Sequence, residues 1–191
     1  MTKIKIIVGS SRPGRFNIQP ATWIHDLAKE SEDIEAELVD LKEVNLPFLD
    51  EAVPASQGQY ANEHTKDWAK TIGDADGFIF VTPEYNHSYS PVLKNAIDYV
   101  YAEWNYKPVS FVSYGSLAGG ARAVEHLRGV AGELKMYDIR EQILLPDYWT
   151  NLSGEGQYQF TETQTEAAKA MLESLAFWAG KMKEARAELQ G

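Results

Sequence analysis

Gly77-Phe78-Ile79-Phe80-Val81-Thr82, running directly into Pro83-Glu84-Tyr85-Asn86-His87-Ser88-Tyr89-Ser90-Pro91, decides how this chain is read. Six residues without a charge and without polar alternation read as a strand buried on both faces, as a parallel sheet covered by helices requires. Prolines stiffen the loop behind the strand, and Pro91 suits the first turn of a helix. Val92, Leu93, Ala96, Ile97, Val100 and Tyr101 then recur at helical spacing.

The same alternation extends in both directions. Lys3 to Val8 (KIKIIV), Glu35 to Leu41, Pro108 to Ser113 (PVSFVS) and Ile139 to Leu145 read as further strands. Helical faces recur at Ile18, Ala21, Ile24, Leu27 and Ala28, from Tyr60 to Ile72, at Ala121, Val124, Leu127, Ala131 and Leu134, and from Ala168 to Met182. Asn45 to Gln59 reads as a loop. Five strands interleaved with five helices predict an α/β protein: a doubly wound five-stranded parallel sheet with right-handed crossovers, helices on both faces, and one domain over residues 1–191. Ligands of such sheets bind beyond the carboxyl ends of the strands, at the switch point, so the loops after the strands carry the chemistry.

Composition narrows the function. With 28 acidic against 18 basic residues the net charge is −10, which disfavours nucleic acid and anionic membrane as partners. There is no cysteine, which removes disulfides and thiol catalysis and fits a reducing, cytoplasmic setting. Any electrons have to travel on a bound cofactor. No signal peptide and no bilayer-spanning run is read in the sequence. The four histidines, His25, His64, His87 and His126, lack metal-ligand spacing, so no metal site is expected.

Three loops stand out. Gly9-Ser10-Ser11-Arg12-Pro13-Gly14-Arg15-Phe16-Asn17 follows the first strand and opens the first helix. Its backbone and hydroxyl donors, its two arginines and a capping Asn17 at a helix N-terminus suit a phosphate. It has neither the Lys-Ser/Thr pair of a P-loop nor G-x-G-x-x-G spacing, so Asp40 reads as a strand-end residue rather than a ribose ligand. Thr82 to Pro91 offers a stiff aromatic wall for a flat ring, or else a rigid turn whose tyrosines pack on neighbouring loops. Ser113-Tyr114-Gly115-Ser116-Leu117-Ala118-Gly119-Gly120 offers glycine-rich backbone that stabilises negative charge at a helix N-terminus, or else a flexible connection.

Taken in order, Gly9 to Arg15, Pro83 to Asn86 with Leu93 to Asp98, and Ser113 to Gly115 with Gly119-Gly120 resemble the NAD(P)H-dependent FMN reductase family, which includes chromate and quinone reductases and azoreductases. The segment Arg122 to Arg128 is also similar to the family's helix after the third motif. The resemblance spans about residues 3 to 145. It implies a flavodoxin-like sheet in strand order 2-1-3-4-5 and FMN as cofactor. The phosphate is implied at Ser10, Arg12, Arg15 and Asn17, with Phe16 and Ile18 beside it. The isoalloxazine ring is implied between Pro83, Glu84, Tyr85 and Asn86 on one side and Ser113, Tyr114, Gly115, Gly119 and Gly120 on the other. A homodimer or homotetramer with the flavin near the interface is implied as well. Arg15 stands where many members have a small hydroxyl residue, and Asp147 to Phe160 matches no recognised pattern.

The implied reaction carries two electrons from NADPH or NADH through FMN to a small acceptor such as a quinone, free flavin, azo compound or chromate. It needs position and electrostatics from the protein and no obligatory acid or base side chain, with Tyr85 as a wall of the ring site. The rival readings are a flavodoxin-like electron carrier without nicotinamide activity and a phosphate-binding scaffold without flavin.

Overall fold

The computed structural model describes residues 1–190. Five parallel strands, β1 (Thr2–Val8), β2 (Ile34–Asp40), β3 (Gly77–Pro83), β4 (Pro108–Tyr114) and β5 (Tyr137–Leu145), form one sheet in the order β2-β1-β3-β4-β5. The helices are α1 (Ile18–Lys29), α2 (Leu41–Val44), α3 (Glu63–Gly73), α4 (Pro91–Asp98), α5 (Ala121–Glu133) and α6 (Glu162–Gln190). The order reverses between β1 and β3, so the expected fold class and switch point are both present.

Strand alternation builds two cores. On β1, Ile4, Ile6 and Val8 pack beneath α1 and α6 with Ala21, Ile24, Met171 and Leu175. Ile7 faces the opposite layer, where Phe78, Phe80 and Phe111 meet Leu93 and Ile97 of α4, Trp68 of α3 and Val124 of α5. β3 is buried along its whole length. The one helix the periodicity misses is α2, a single turn. It starts because the Asp40 carboxylate accepts from Lys42 N at 2.9 Å, and it stops at Asn45 in the left-handed region, φ 51°. One turn is too short to show a period.

Asp147 to Phe160, unreadable as sequence, folds back over the start of α1. A 3-10 turn at Tyr148–Asn151 stacks Tyr148 on Phe16, with centroids 4.2 Å apart. Phe160 stacks on Trp23 at 4.0 Å, and Gln19 exchanges hydrogen bonds with Tyr158 N and Gly156 O.

At the opposite end of the sheet, Lys107 is buried and donates to Ile72 O at 2.9 Å and Gly73 O at 3.0 Å, two carbonyls at the C-terminal end of α3. Burial, helped by nearby Arg186, pushes its ammonium down to about 8, against the pull of Asp76 and Glu103. Because the folded value is the lower one, both states hold the proton below pH 8. Above it the unfolded chain keeps a proton that the folded chain has released. Stability should therefore rise between pH 8 and 10, by up to about 1.4 kcal/mol per pH unit. Urea midpoints at pH 7.5, 8.5 and 9.5 should show this rise in the wild type and not in Lys107→Met. Parallel pH profiles would remove Lys107 as its source.

Candidate functional site

The carboxyl ends of β1, β3 and β4 lie side by side, and this brings the three loops together. Ser10 Oγ lies 3.3 Å from Tyr85 Oη, and Glu84 N donates to Tyr114 O at 2.9 Å.

The first loop leaves Gly9 and turns at Gly14, φ 64°. Gly9 is required by the sheet, because a Cβ there would stand 2.8 Å from Val81 O. Among the described residues, no protein acceptor meets the backbone N–H groups of Ser11, Arg12, Phe16, Asn17 and Ile18. No acidic side chain occupies the first turn of α1. This is the donor set of an anion cradle at a helix N-terminus. Arg12 is exposed and makes no ion pair among the described residues. Ile18 is exposed at the same edge.

Other first-loop residues do different work from that expected. Arg15 donates to Ser10 O at 2.8 Å and pairs with Asp40, so its guanidinium braces the loop against the end of β2. Asp40 is thus a strand-end residue that also caps α2. Asn17 makes no side-chain cap and sits in the helical region. Its Nδ2 instead donates to Val81 O at 3.0 Å, and its fully buried Oδ1 has no partner among the described residues. The capping expectation fails because Asn17 already has helical φ and ψ, and its side chain points into the sheet. Phe16 is buried in the aromatic group of Tyr114, Tyr148 and Tyr158.

The second loop is a tight turn. Tyr85 N donates to Ser88 O at 2.7 Å and Ser88 N to Tyr85 O at 3.1 Å, with Asn86 and His87 at φ 50° and 69°. Two successive positive φ values give the turn type that matches strand twist, and asparagine tolerates it well. Pro83 is buried as the last residue of β3. Ser90 caps α4, accepting from Leu93 N at 3.3 Å, while its hydroxyl donates to Gly9 O.

The third loop carries hydrogen bonds of its own, with Gly119 N donating to Ser116 O at 2.8 Å. Ser113 Oγ donates to Gly119 O at 3.0 Å, so this hydroxyl is satisfied within the loop. Gly119 and Gly120 hold φ 60° and 90°, and a Cβ at Gly115 would press on Glu84 Cβ at 3.3 Å. Tyr114 is buried, and burial, reinforced by neighbouring Tyr85, pushes its phenol up. It stays neutral at physiological pH and packs edge-on against Phe16 and Tyr148.

Glu84 is the residue whose role sequence reading could not supply. Its side chain is only 6% exposed and is paired with Arg122. One carboxylate oxygen accepts from Arg122 N at 3.2 Å and the other from Arg122 Nε at 2.6 Å. Arg122 is the second residue of α5, so Glu84 caps that helix from another loop. Nothing local marks a pair 38 residues apart.

A cavity of about 370 Å³ lies beside the first loop, lined by Ser11, Leu46, Pro47, Phe48, Pro91, Val92 and Asn95. Phe48, Leu117 and Trp149 add exposed apolar surface on the loops after β2, β4 and β5. No described helix is long and apolar enough to cross a membrane.

A doubly wound sheet in this order, with free N–H groups at the switch point, is the architecture of a mononucleotide-binding flavodoxin-like protein. The NADPH-dependent FMN reductase family profile matches residues 2–150, and the chain belongs to that family. It is 46% identical over 136 residues to an NAD(P)H-dependent FMN reductase of Schizosaccharomyces pombe, covering 70% of this chain and 68% of the relative. It is 33% identical to an NAD(P)H:quinone oxidoreductase of Solanum tuberosum over 153 residues, covering 78% and 75% of the two chains. Among solved structures, the NAD(P)H:(acceptor) oxidoreductase FerB of Paracoccus denitrificans superposes with a TM-score of 0.73 at 21% identity, over 95% of this chain and 99% of that one. Its likeness confirms the fold.

Proposed function

We propose that this chain is a single FMN-binding domain that uses NADPH or NADH to reduce small acceptors of the quinone or azo class. Relatives named as FMN, quinone and azo reductases support the reaction, as does the family match. The observation that carries the reading is the set of N–H groups of Ser11, Arg12, Phe16, Asn17 and Ile18, without a protein acceptor among the described residues, beside the exposed Arg12. In a chain of net charge −10, such a cradle is the local positive field an FMN phosphate needs. Bound there, FMN would supply the hydride-accepting and electron-donating chemistry.

The chain's own groups have distinct parts. Arg12 and the loop N–H groups would hold the phosphate, and Arg15 fixes the loop through Ser10 O and Asp40. Tyr85 and Asn86 would wall one side of the ring, and the backbone from Gly115 to Gly120 the other. Tyr114, buried against Phe16 and Tyr148, would support the site from within the core. No side chain is assigned a proton-transfer step. The exposed Phe48, Leu117 and Trp149 are apolar surface of the kind an interface covers, which supports a homodimer or homotetramer with the flavin close to the contact.

Two measurements test this reading. The purified protein titrated with FMN should bind it and turn yellow, and the bound flavin should bleach on anaerobic NADPH addition. A flavin that binds and stays oxidised makes the protein an electron carrier. Arg12→Ala should weaken FMN binding by about 10- to 100-fold, the cost of a charge-assisted hydrogen bond of roughly 1.5–3 kcal/mol. An unchanged titration takes Arg12 out of the site.

A further inference from the structure

The N-terminus of α5 is the helix end that adjoins the proposed ring site, and it already holds an anion. Glu84 reaches across from the second loop and places its carboxylate on Arg122 N, 3.2 Å away, and on Arg122 Nε, 2.6 Å away. Its backbone N–H is fixed to Tyr114 O at 2.9 Å, and Gly115 packs closely against its Cβ. The carboxylate is therefore held between the two loops assigned to the ring. A helix end capped by a protein carboxylate has less positive field to offer a ligand. Arg122 supplies the compensating charge, and its side chain is 42% exposed.

We infer that the Glu84–Arg122 pair is a charge-setting device: the buried carboxylate opposes, and the guanidinium favours, the negative charge that bound FMN gains on reduction. This rests on the FMN site proposed above. Two electrons and one proton convert oxidised flavin to its reduced monoanion, so a nearby fixed charge changes the affinity of the reduced form more than that of the oxidised form. The pair thereby fixes the driving force for accepting hydride and for passing electrons on. Glu84 is a positioning residue here, acting on the ring through the helix end and the loops it joins.

The test is the two-electron potential of bound FMN, measured by anaerobic reductive titration against a reference dye, together with FMN affinity and thermal midpoint. Glu84→Gln keeps an oxygen acceptor for Arg122 N and removes the charge. It should favour the reduced form roughly tenfold, raising the potential by about 30 mV for a two-electron couple. Arg122→Gln should lower the potential, and the double variant should return towards the wild type. Opposite signs separate charge-setting from a structural clamp, because a loosened clamp weakens both single variants alike. Shifts of the same sign, or none, in variants that still bind FMN overturn the inference. Wild-type protein that does not bind FMN overturns the site itself. If Glu84→Gln does not fold, the sign of the Arg122→Gln shift decides.

Discussion

Replacing Gly120 with alanine is expected to unfold the third loop locally and abolish tight FMN binding. Gly120 holds φ 90°, and a Cβ there would lie 2.6 Å from Ser113 Cβ, 2.7 Å from Ser113 Oγ and 2.9 Å from Tyr114 N. None of these is the free end of a long side chain. Tyr114 N belongs to β4, and Ser113 is fully buried with its hydroxyl on Gly119 O. The strained φ costs about 1–3 kcal/mol and the steric overlap a similar amount, so a loss of roughly 2–6 kcal/mol is expected in urea denaturation. Gly129→Ala provides the contrast. Gly129 lies within α5, and nothing stands within 4 Å of its added Cβ. Alanine there should stabilise by up to about 1 kcal/mol through helix propensity. Equal effects at the two positions would refute the steric account of the loop.

Phe16→Ala is expected to cost about 3–5 kcal/mol, the usual range for truncating a buried aromatic. Phe16 stacks on Tyr148 at 4.2 Å and meets Tyr114 and Tyr158 edge-on at 5.0 and 5.4 Å. It is the point where the first loop, the end of β4 and the returning segment from Asp147 to Phe160 are joined. Removing it should also slacken the N–H cradle, so FMN affinity should fall although no phosphate contact is lost. Calorimetric titration with FMN and a urea curve of the apoprotein would show both effects. Tyr148→Ala should move both in the same direction and by less, because Tyr114 and Tyr158 still flank Phe16. A normal urea midpoint in Phe16→Ala would mean the aromatic group does not brace the loop.

The Glu84–Arg122 pair and Arg15 show where reading residues one by one stops. Arg12 and Arg15 are equivalent as sequence, both basic and both in the loop after β1. The fold separates them by bringing Asp40, from the neighbouring strand β2, to Arg15 alone. Asn17 has the composition of a cap, yet the turn before it has already taken helical geometry, and its amide bonds Val81 O on β3.

By itself the sequence determined the strands, the five longer helices and the sheet they build, because uninterrupted apolar runs and 3.6-residue periods follow from local burial on one or two faces. The strand order that gathers those loops at one switch point came from the resemblance to the family, because right-handed crossovers alone allow more than one doubly wound order. Only the tertiary structure decided which polar groups in those loops stay free. The fold alone joined Arg15 to Asp40, Glu84 to Arg122, Ser113 to Gly119 and Phe16 to Tyr148. A side chain's partner is set by what the fold carries within about 3 Å of it, and for three of these pairs that group lies tens of residues away in the chain.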